Sequence, residues 1–211
     1  MLRAGFVGLV VCLGATACGG TEDGEKERTA AEEQCGGVLS RPAVSALQRV
    51  MSVEKFSNAG PGRLTETVAQ LRGDYDKNLR WSHGLRVCQI STDGGDVKGM
   101  RISFALYAPE DLPGGRHAAG LHAYPMGKEA LAGAKRASLY FECVSPELKG
   151  SSSRPARILG SLSYWKPPQD SPATRDANLT VLHSVSLAVA KELKCERNAD
   201  LPTEPELTPI D

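Results

Sequence analysis

Four cysteines constrain this chain more than any other feature, because whether they bridge decides how much of the fold core packing must hold by itself. Of the six in 211 residues, Cys12 and Cys18 lie near the N-terminus, and Cys35, Cys88, Cys143 and Cys195 are spread along the body. Their chemistry depends on the compartment, and the first eighteen residues decide that. Arg3 supplies a minimal positive charge, Ala4 to Leu13 an apolar run too short to span a bilayer, and Ala15-Thr16-Ala17 a small-residue cleavage site. Residues 1–17 therefore have the make-up of a secretory signal peptide.

The stretch Leu13-Gly14-Ala15-Thr16-Ala17-Cys18, followed by Gly19 and Gly20, resembles the lipobox of bacterial lipoproteins. The resemblance implies a diacylglyceryl group on Cys18 and acylation by fatty acids of the palmitate class. Ala15 stands where leucine is usual, and Ala15-x-Ala17 also suits ordinary cleavage, so plain secretion is the alternative. One buried acyl chain holds a protein only marginally, whereas two or more hold it firmly at the outer face of the cell membrane. Cys12 follows bulky Val10 and Val11 and leaves too short an apolar run to serve instead.

With the signal removed and Cys18 lipidated, Cys35, Cys88, Cys143 and Cys195 remain. An even count in an exported chain argues for two disulfides over metal ligands, with three connectivities open. No Cys-x-x-Cys pair exists, so neither bridge reads as catalytic.

About 190 residues after cleavage make one domain with a real core. No later run of eighteen apolar residues exists, so the lipid is the expected anchor. The formal net charge of zero hides a partition. Glu22 to Glu33 sets six acids against Lys26 and Arg28, and Glu196 to Asp211 sets five against Arg197, which leaves the segment between them at +7. A basic body between acidic ends suits an anionic envelope polymer as partner; equally, tails and body solvate one another. Nothing points to nucleic acid. Thr21 to Gln34 is charged, Glu-rich and without aromatic or branched aliphatic residues, so residues 18–34 read as a lipid-anchored flexible linker. As a coil from Gly19 to Gln34 it would hold the body roughly 20 to 25 Å from the membrane.

The ordered domain is expected over residues 35–197. Ser40 caps a helix with Pro42 in its first turn, Leu39 and Val44 form a staple, and Val44, Leu47, Val50 and Met51 make one face to about Val53. After the breaker cluster Asn58 to Gly62, Leu64, Val68 and Leu71 predict a second helix capped by Gly73, antiparallel to the first. The period then becomes two. Leu85 to Ser91 and Met100 to Leu106 predict a hairpin around Thr92 to Asp96, Leu139 to Cys143 a third strand, and Ile158 to Tyr164 a fourth that ends before Pro167 and Pro168. Between them, residues 108–136 read as a long loop with a short strand at Leu121 to Tyr124 and a helical composition over Lys128 to Lys135. Leu179, Leu182, Ser186, Val189 and Leu193 predict a last helix with the longest apolar face, and residues 198–211 a C-terminal tail along the surface. These elements add up to an α+β fold, a mainly antiparallel sheet with helices on one face.

That topology selects a pairing. A fourth strand antiparallel to the third, followed by a helix returning across the sheet, brings Cys195 beside Cys143 and leaves Cys35 for Cys88. The start Cys35-Gly36-Gly37-x-Leu39-Ser40, the strand Leu139-Tyr140-Phe141-Glu142-Cys143 and the close from Leu182-His183-Ser184 to Cys195 resemble a group of uncharacterised exported lipoproteins of actinobacteria. The resemblance covers most of the chain after Gln34 and implies a cell-envelope location without implying an activity.

The search for chemistry yields no catalytic, cofactor-binding or metal-binding residues to name. His83, His117, His122 and His183 are scattered, and no carboxylate cluster accompanies them. Gly-x-Ser-x-Gly and phosphate-binding Gly-rich loops are missing, and Ser184 cannot form a dyad with His183 by adjacency. Arg116, Lys128, Lys135 and Arg136 make the 108–136 segment basic. Tyr164 and Trp165 end a strand as amphipathic aromatics do at grooves, but more often as lids on a core. The expectation is a non-enzymatic binding or interaction domain at the envelope, with an anionic polymer or another envelope protein as partner; the alternative is an envelope hydrolase or transferase whose site is assembled from distant residues.

Overall fold

The computed structural model describes residues 28–57, 62–92, 98–115 and 117–210. Cys18, the signal peptide, the linker up to residue 27, most of the 92–96 turn and Arg116 lie outside the described residues. Strands β3 (Leu85–Ser91), β4 (Gly99–Leu106), β5 (His122–Tyr124), β6 (Glu129–Ala132), β7 (Arg136–Cys143) and β8 (Ala156–Tyr164) form one antiparallel sheet, ordered β3-β4-β8-β7-β6-β5. Strands β1 (Arg28–Ala30) and β2 (Lys55–Ser57) make a separate two-stranded ribbon. The helices are α1 (Arg41–Met51), α2 (Leu64–Asp76) and α3 (Pro172–Glu192). This is the α+β arrangement with helices on one sheet face. Among the described residues no helix is long and apolar enough to cross a membrane.

Alternation fixes which sheet face is covered. Met100, Ile102, Phe104 and Leu106 on β4, Ile158, Leu162 and Tyr164 on β8, and Leu139, Phe141 and Cys143 on β7 are buried under the helices. Their neighbours Arg101, Ser103, Arg157, Ser161, Ser163, Arg136 and Ser138 face outward and keep contact with solvent. A one-residue slip would exchange the two sets, so the register Ile102↔Leu162↔Ala137 is strongly specified.

Helix α3 is the centre of the molecule. Ser171 caps it, its Oγ accepting from Thr174 N–H at 3.1 Å, and Pro172 supplies the first turn. From Ala177 to Val185 every residue is buried. A helix buried nearly all round must be covered on both sides: α3 packs on β6, β7 and β8 below and on α1 and α2 above. Leu179, Leu182, Val185, Val189 and Leu193 are fully buried and together bring roughly 10 kcal/mol of gross transfer free energy. Gly160 makes the approach to β8 close: a Cβ there would lie 2.8 Å from Phe104 and 3.1 Å from Ser186 Oγ.

Both bridges join the cysteines that the topology selects, Cys35 with Cys88 and Cys143 with Cys195, at Cα separations of 4.9 and 5.1 Å. Four expectations need correction. The linker does not extend to Gln34, because Arg28–Ala30 pairs with β2 and Ala31 and Gln34 are buried beneath it. Helices α1 and α2 do not pack together as a pair; each packs on α3. Helix α2 runs past Gly73 to Asp76, since Tyr75 buries its ring under the Arg154 guanidinium and donates to Arg154 O at 2.8 Å. The helical composition of Lys128 to Lys135 loses to pairing, and Glu129–Ala132 is a strand between β5 and β7.

Candidate binding cleft

A hollow opens in the described surface where α2 hands the chain to β3. The connection is short and tightly held. Lys77, Asn78 and Leu79 N–H donate to the carbonyls of Gly73, Tyr75 and Asp74 at 3.2, 2.8 and 3.1 Å, which satisfies the last turn of α2. Asn78 turns the chain with φ of 59°. Ser82 N–H donates to Leu106 O at 3.1 Å while Ser82 Oγ accepts from Leu106 N–H at 3.0 Å, so the loop is fastened to the end of β4. Gln70 Nε2 donates to His83 O at 3.4 Å.

A backbone so pinned still presents two large apolar side chains to water: Leu79 is 44 % and Trp81 57 % exposed. His83 meets the Trp81 ring edge-on, with centroids 5.1 Å apart. The opposite wall comes from the 3-10 turn Pro109–Asp111, fixed by Ala108 N–H donating to Asp111 Oδ2 at 2.8 Å. Its Glu110 receives Arg80 through both carboxylate oxygens at 2.6 and 2.7 Å. The cleft enclosed by these residues, with Gln70 and Asp74 of α2, holds about 550 Å³, the size of a small-ligand site. Asp74 Oδ2 is buried and accepts no hydrogen bond from the described protein.

Leu79 and Arg80 form a ridge, and beyond it lies a second hollow of about 310 Å³ lined by Tyr75, Tyr107, Arg154 and Arg157. Tyr107 is 2 % exposed, and its hydroxyl is buried with no hydrogen-bond partner among the described residues. Burial first, and the Glu142 carboxylate second, push the Tyr107 hydroxyl far above its ordinary range, so it stays a donor. Arg157 pairs with Glu142 at 3.3 Å, a carboxylate shared with Lys128 at 3.0 Å. Arg154 lies 4.6 Å from the Tyr75 centroid and has no carboxylate partner among the described residues.

Other residues singled out in the sequence have structural duties. His183 bonds to Pro202 O at 2.9 Å beneath the C-terminal segment, and Ser184 accepts from Ser40 N–H at 2.8 Å at the start of α1. Neighbours on a helix point about 100° apart, so the two serve different partners. Tyr164 donates to Asn178 Oδ1 at 2.6 Å inside the core, and Trp165 lies over Gly99, where a Cβ would fall 1.4 Å from its ring. Among the described residues no three His, Cys, Asp or Glu converge as metal ligands. The carboxylates whose acidity the fold moves lie away from the cleft: hydrogen bonds from Lys194 and Arg197 hold Glu147 and Asp200 low, and burial raises Asp176.

Sequence reasoning passed over Trp81. The available signal was a tryptophan and a leucine in the eight-residue connection between a helix and a strand, where large apolar side chains have no core to enter. No protein family, curated protein or solved structure matches this chain.

Proposed function

We propose that this chain is an extracytoplasmic lipoprotein, held by lipid on Cys18 at the outer face of the cell membrane, whose domain binds an envelope ligand in the cleft around Trp81 without transforming it. The observation that carries the binding reading is the presentation of Leu79 and Trp81. Exposed apolar side chains on a slack loop mean little, but here the loop is bonded at both ends and still holds them outward. Folding gains nothing from that placement. A ligand with one apolar face and a polar edge would gain from it, since the indole offers a flat platform and Gln70, Asp74, Ser82 and Glu110 surround it with hydrogen-bonding groups. The two disulfides agree with an oxidising compartment, and the lipobox-like stretch before Cys18 supports the anchor.

Two experiments test the two halves. Membrane fractionation of cells carrying Cys18→Ser should move the protein from the membrane to the medium; equal release of wild type and variant would remove the lipid anchor. A screen of purified envelope polysaccharide fragments against the wild-type domain and Trp81→Ala should yield ligands that only the wild type retains. Turnover of a retained fragment would instead identify a hydrolase or transferase.

A further inference from the structure

The two hollows share the Leu79–Arg80 ridge, and their unmet hydrogen-bonding needs are opposite. On the Trp81 side, Asp74 Oδ2 is a buried acceptor without a protein donor. On the other side, Tyr107 Oη is a buried donor without a protein acceptor. A group that satisfied both would lie across the ridge and bring hydroxyl or amine hydrogens to one end and an acceptor to the other. The second hollow also says which acceptor. Arg80, Arg154 and Arg157 line it; Glu110 holds Arg80, and Glu142 is divided between Arg157 and Lys128. Arg154 has no carboxylate partner among the described residues, and its guanidinium is oriented by the Tyr75 ring. These arginines are not needed to cap α2, whose last carbonyls already accept from Lys77, Asn78 and Leu79.

We propose, on the reading that the Trp81 cleft is a ligand site, that the ligand is an acidic saccharide: a sugar ring rests on Trp81 with its hydroxyls toward Asp74, and a carboxylate or phosphate on the same or the next residue enters the second hollow against Tyr107 Oη and Arg154. A sugar ring matches the first hollow because one face carries C–H groups, which pack on the indole, while its rim carries hydroxyls that donate to Asp74 and accept from Gln70. An oxyanion matches the second because a guanidinium and a hydroxyl bind it through charge-assisted hydrogen bonds, among the strongest available outside a metal site. Glu110 sets the order of events. It holds Arg80 at the ridge through both oxygens, so an incoming oxyanion competes with it for Arg80 or leaves that pair intact and uses Arg154 alone.

Calorimetric titration of the full chain tests this with three probes: a galacturonic acid oligomer, a neutral glucose oligomer of equal length, and inorganic phosphate. The acidic oligomer should bind about ten-fold tighter than the neutral one, the difference expected when one charged hydrogen bond is added, and the preference should shrink at high salt. Tyr107→Phe removes only the hydroxyl and spares the ring, and Arg154→Gln removes the charge; each should lower affinity for the acidic oligomer by about ten-fold and leave the neutral oligomer unchanged. Phosphate binding that both variants lose, beside acidic-oligomer binding that they keep, would identify a free-anion site and overturn the saccharide. Equal binding of the two oligomers, both abolished by Trp81→Ala, would remove the anion subsite and leave the cleft reading intact. Oligomer binding indifferent to Trp81→Ala would end both, and no binding by the acidic oligomer would end the saccharide assignment.

Discussion

The surroundings of α3 and the corner around Trp81 obey opposite rules. Around α3 four buried polar side chains tie elements together: Asn178 links Tyr164 to Gly133 O, Ser184 serves Val38 and Ser40, Ser145 donates to Leu193 O, and His183 reaches Pro202, although Arg175 Nε on α3 and Thr67 Oγ1 on α2 are buried without a partner. At the corner the backbone is equally well bonded, but Asp74 Oδ2 and Tyr107 Oη are unpartnered and Leu79 and Trp81 face water. One region spends its side chains on holding itself together, and the other withholds them. Substitutions in the first should therefore register as stability, and those in the second as binding.

The largest effect is expected where the closed region is stapled. Replacing Cys143 and Cys195 together with Ala should lower unfolding free energy by up to roughly 4 kcal/mol on the loop-entropy model, read from the denaturant midpoint. Separation of α3 should not begin at its C-terminal end, however. The polar segment after it is a strap rather than the surface tail expected for residues 198–211: Glu196 N–H donates to Val144 O at 2.7 Å, Leu201 is buried, and Ile210 N–H donates to Ala123 O at 3.0 Å. Hydrogen exchange in the bridge-less variant should leave Lys191 to Cys195 protected nearly as well as the middle of α3. Fast exchange confined to that end would show that the strap adds little. Asn178→Ala comes next, at about 2 to 3 kcal/mol, because it orphans the Tyr164 hydroxyl and Gly133 O in a buried site; a loss below about 0.5 kcal/mol would mean that the network can be dispensed with.

What was legible in the sequence follows the same division. Period-two alternation placed β3, β4, β7 and β8, and the antiparallel return of α3 placed both bridges, because these elements are dictated by one buried face. Glu129 to Ala132 misled, since Ala and Leu suit a helix and only pairing with β5 and β7 makes it a strand. Arg28 to Gln34 misled too: the segment has almost no apolar content, and its order comes from β2, whose Phe56 lies opposite Thr29 and 27 residues beyond it in the chain. The cleft was illegible for a different reason. Its walls come from α2, the Leu79–His83 link and the turn after β4, and nothing in local pattern says that Trp81, Asp74 and Glu110 share a hollow.

A smaller effect is tied to His183. Burial holds its imidazole below the ordinary range, with the Pro202 carbonyl acting in the opposite sense. The unfolded chain then binds the proton more readily than the folded one, so His183 contributes stability that is present above the unfolded value of about 6.5 and is lost as pH falls below it. Denaturant midpoints measured between pH 7.5 and 5.5 should fall in the wild type and fall less in His183→Asn. Equal slopes would locate the pH dependence elsewhere, while loss of Glu147 and Asp200 pairing belongs to lower pH, since both carboxylates are held below their usual range.

The smallest stability effect is the one that most sharpens the contrast, because it compares two tryptophans of nearly equal exposure, Trp165 at 48 % and Trp81 at 57 %. The Trp165 ring rests on the bare backbone of Gly99, at the start of β4, and its backbone N–H donates to Gly99 O at 3.4 Å just past the end of the β4–β8 pairing. Removing the ring uncovers the buried backbone of Gly99. Trp165→Ala should cost about 1 to 2 kcal/mol for the apolar area returned to water, and Gly99→Ala should reproduce much of that loss, since a methyl there displaces the ring. Trp81 lies instead in the open link, where the ring it meets among the described residues is His83. Trp81→Ala should therefore stay within about 0.5 kcal/mol of wild type, and the double variant should equal the sum of the two singles, as distant sites do. If Trp81→Ala costs as much as Trp165→Ala, then Trp81 is a second lid and its exposure carries no meaning for binding. If it costs nothing and still abolishes ligand retention, exposure alone is shown to be uninformative, and what a tryptophan lies against is what separates a lid from a platform.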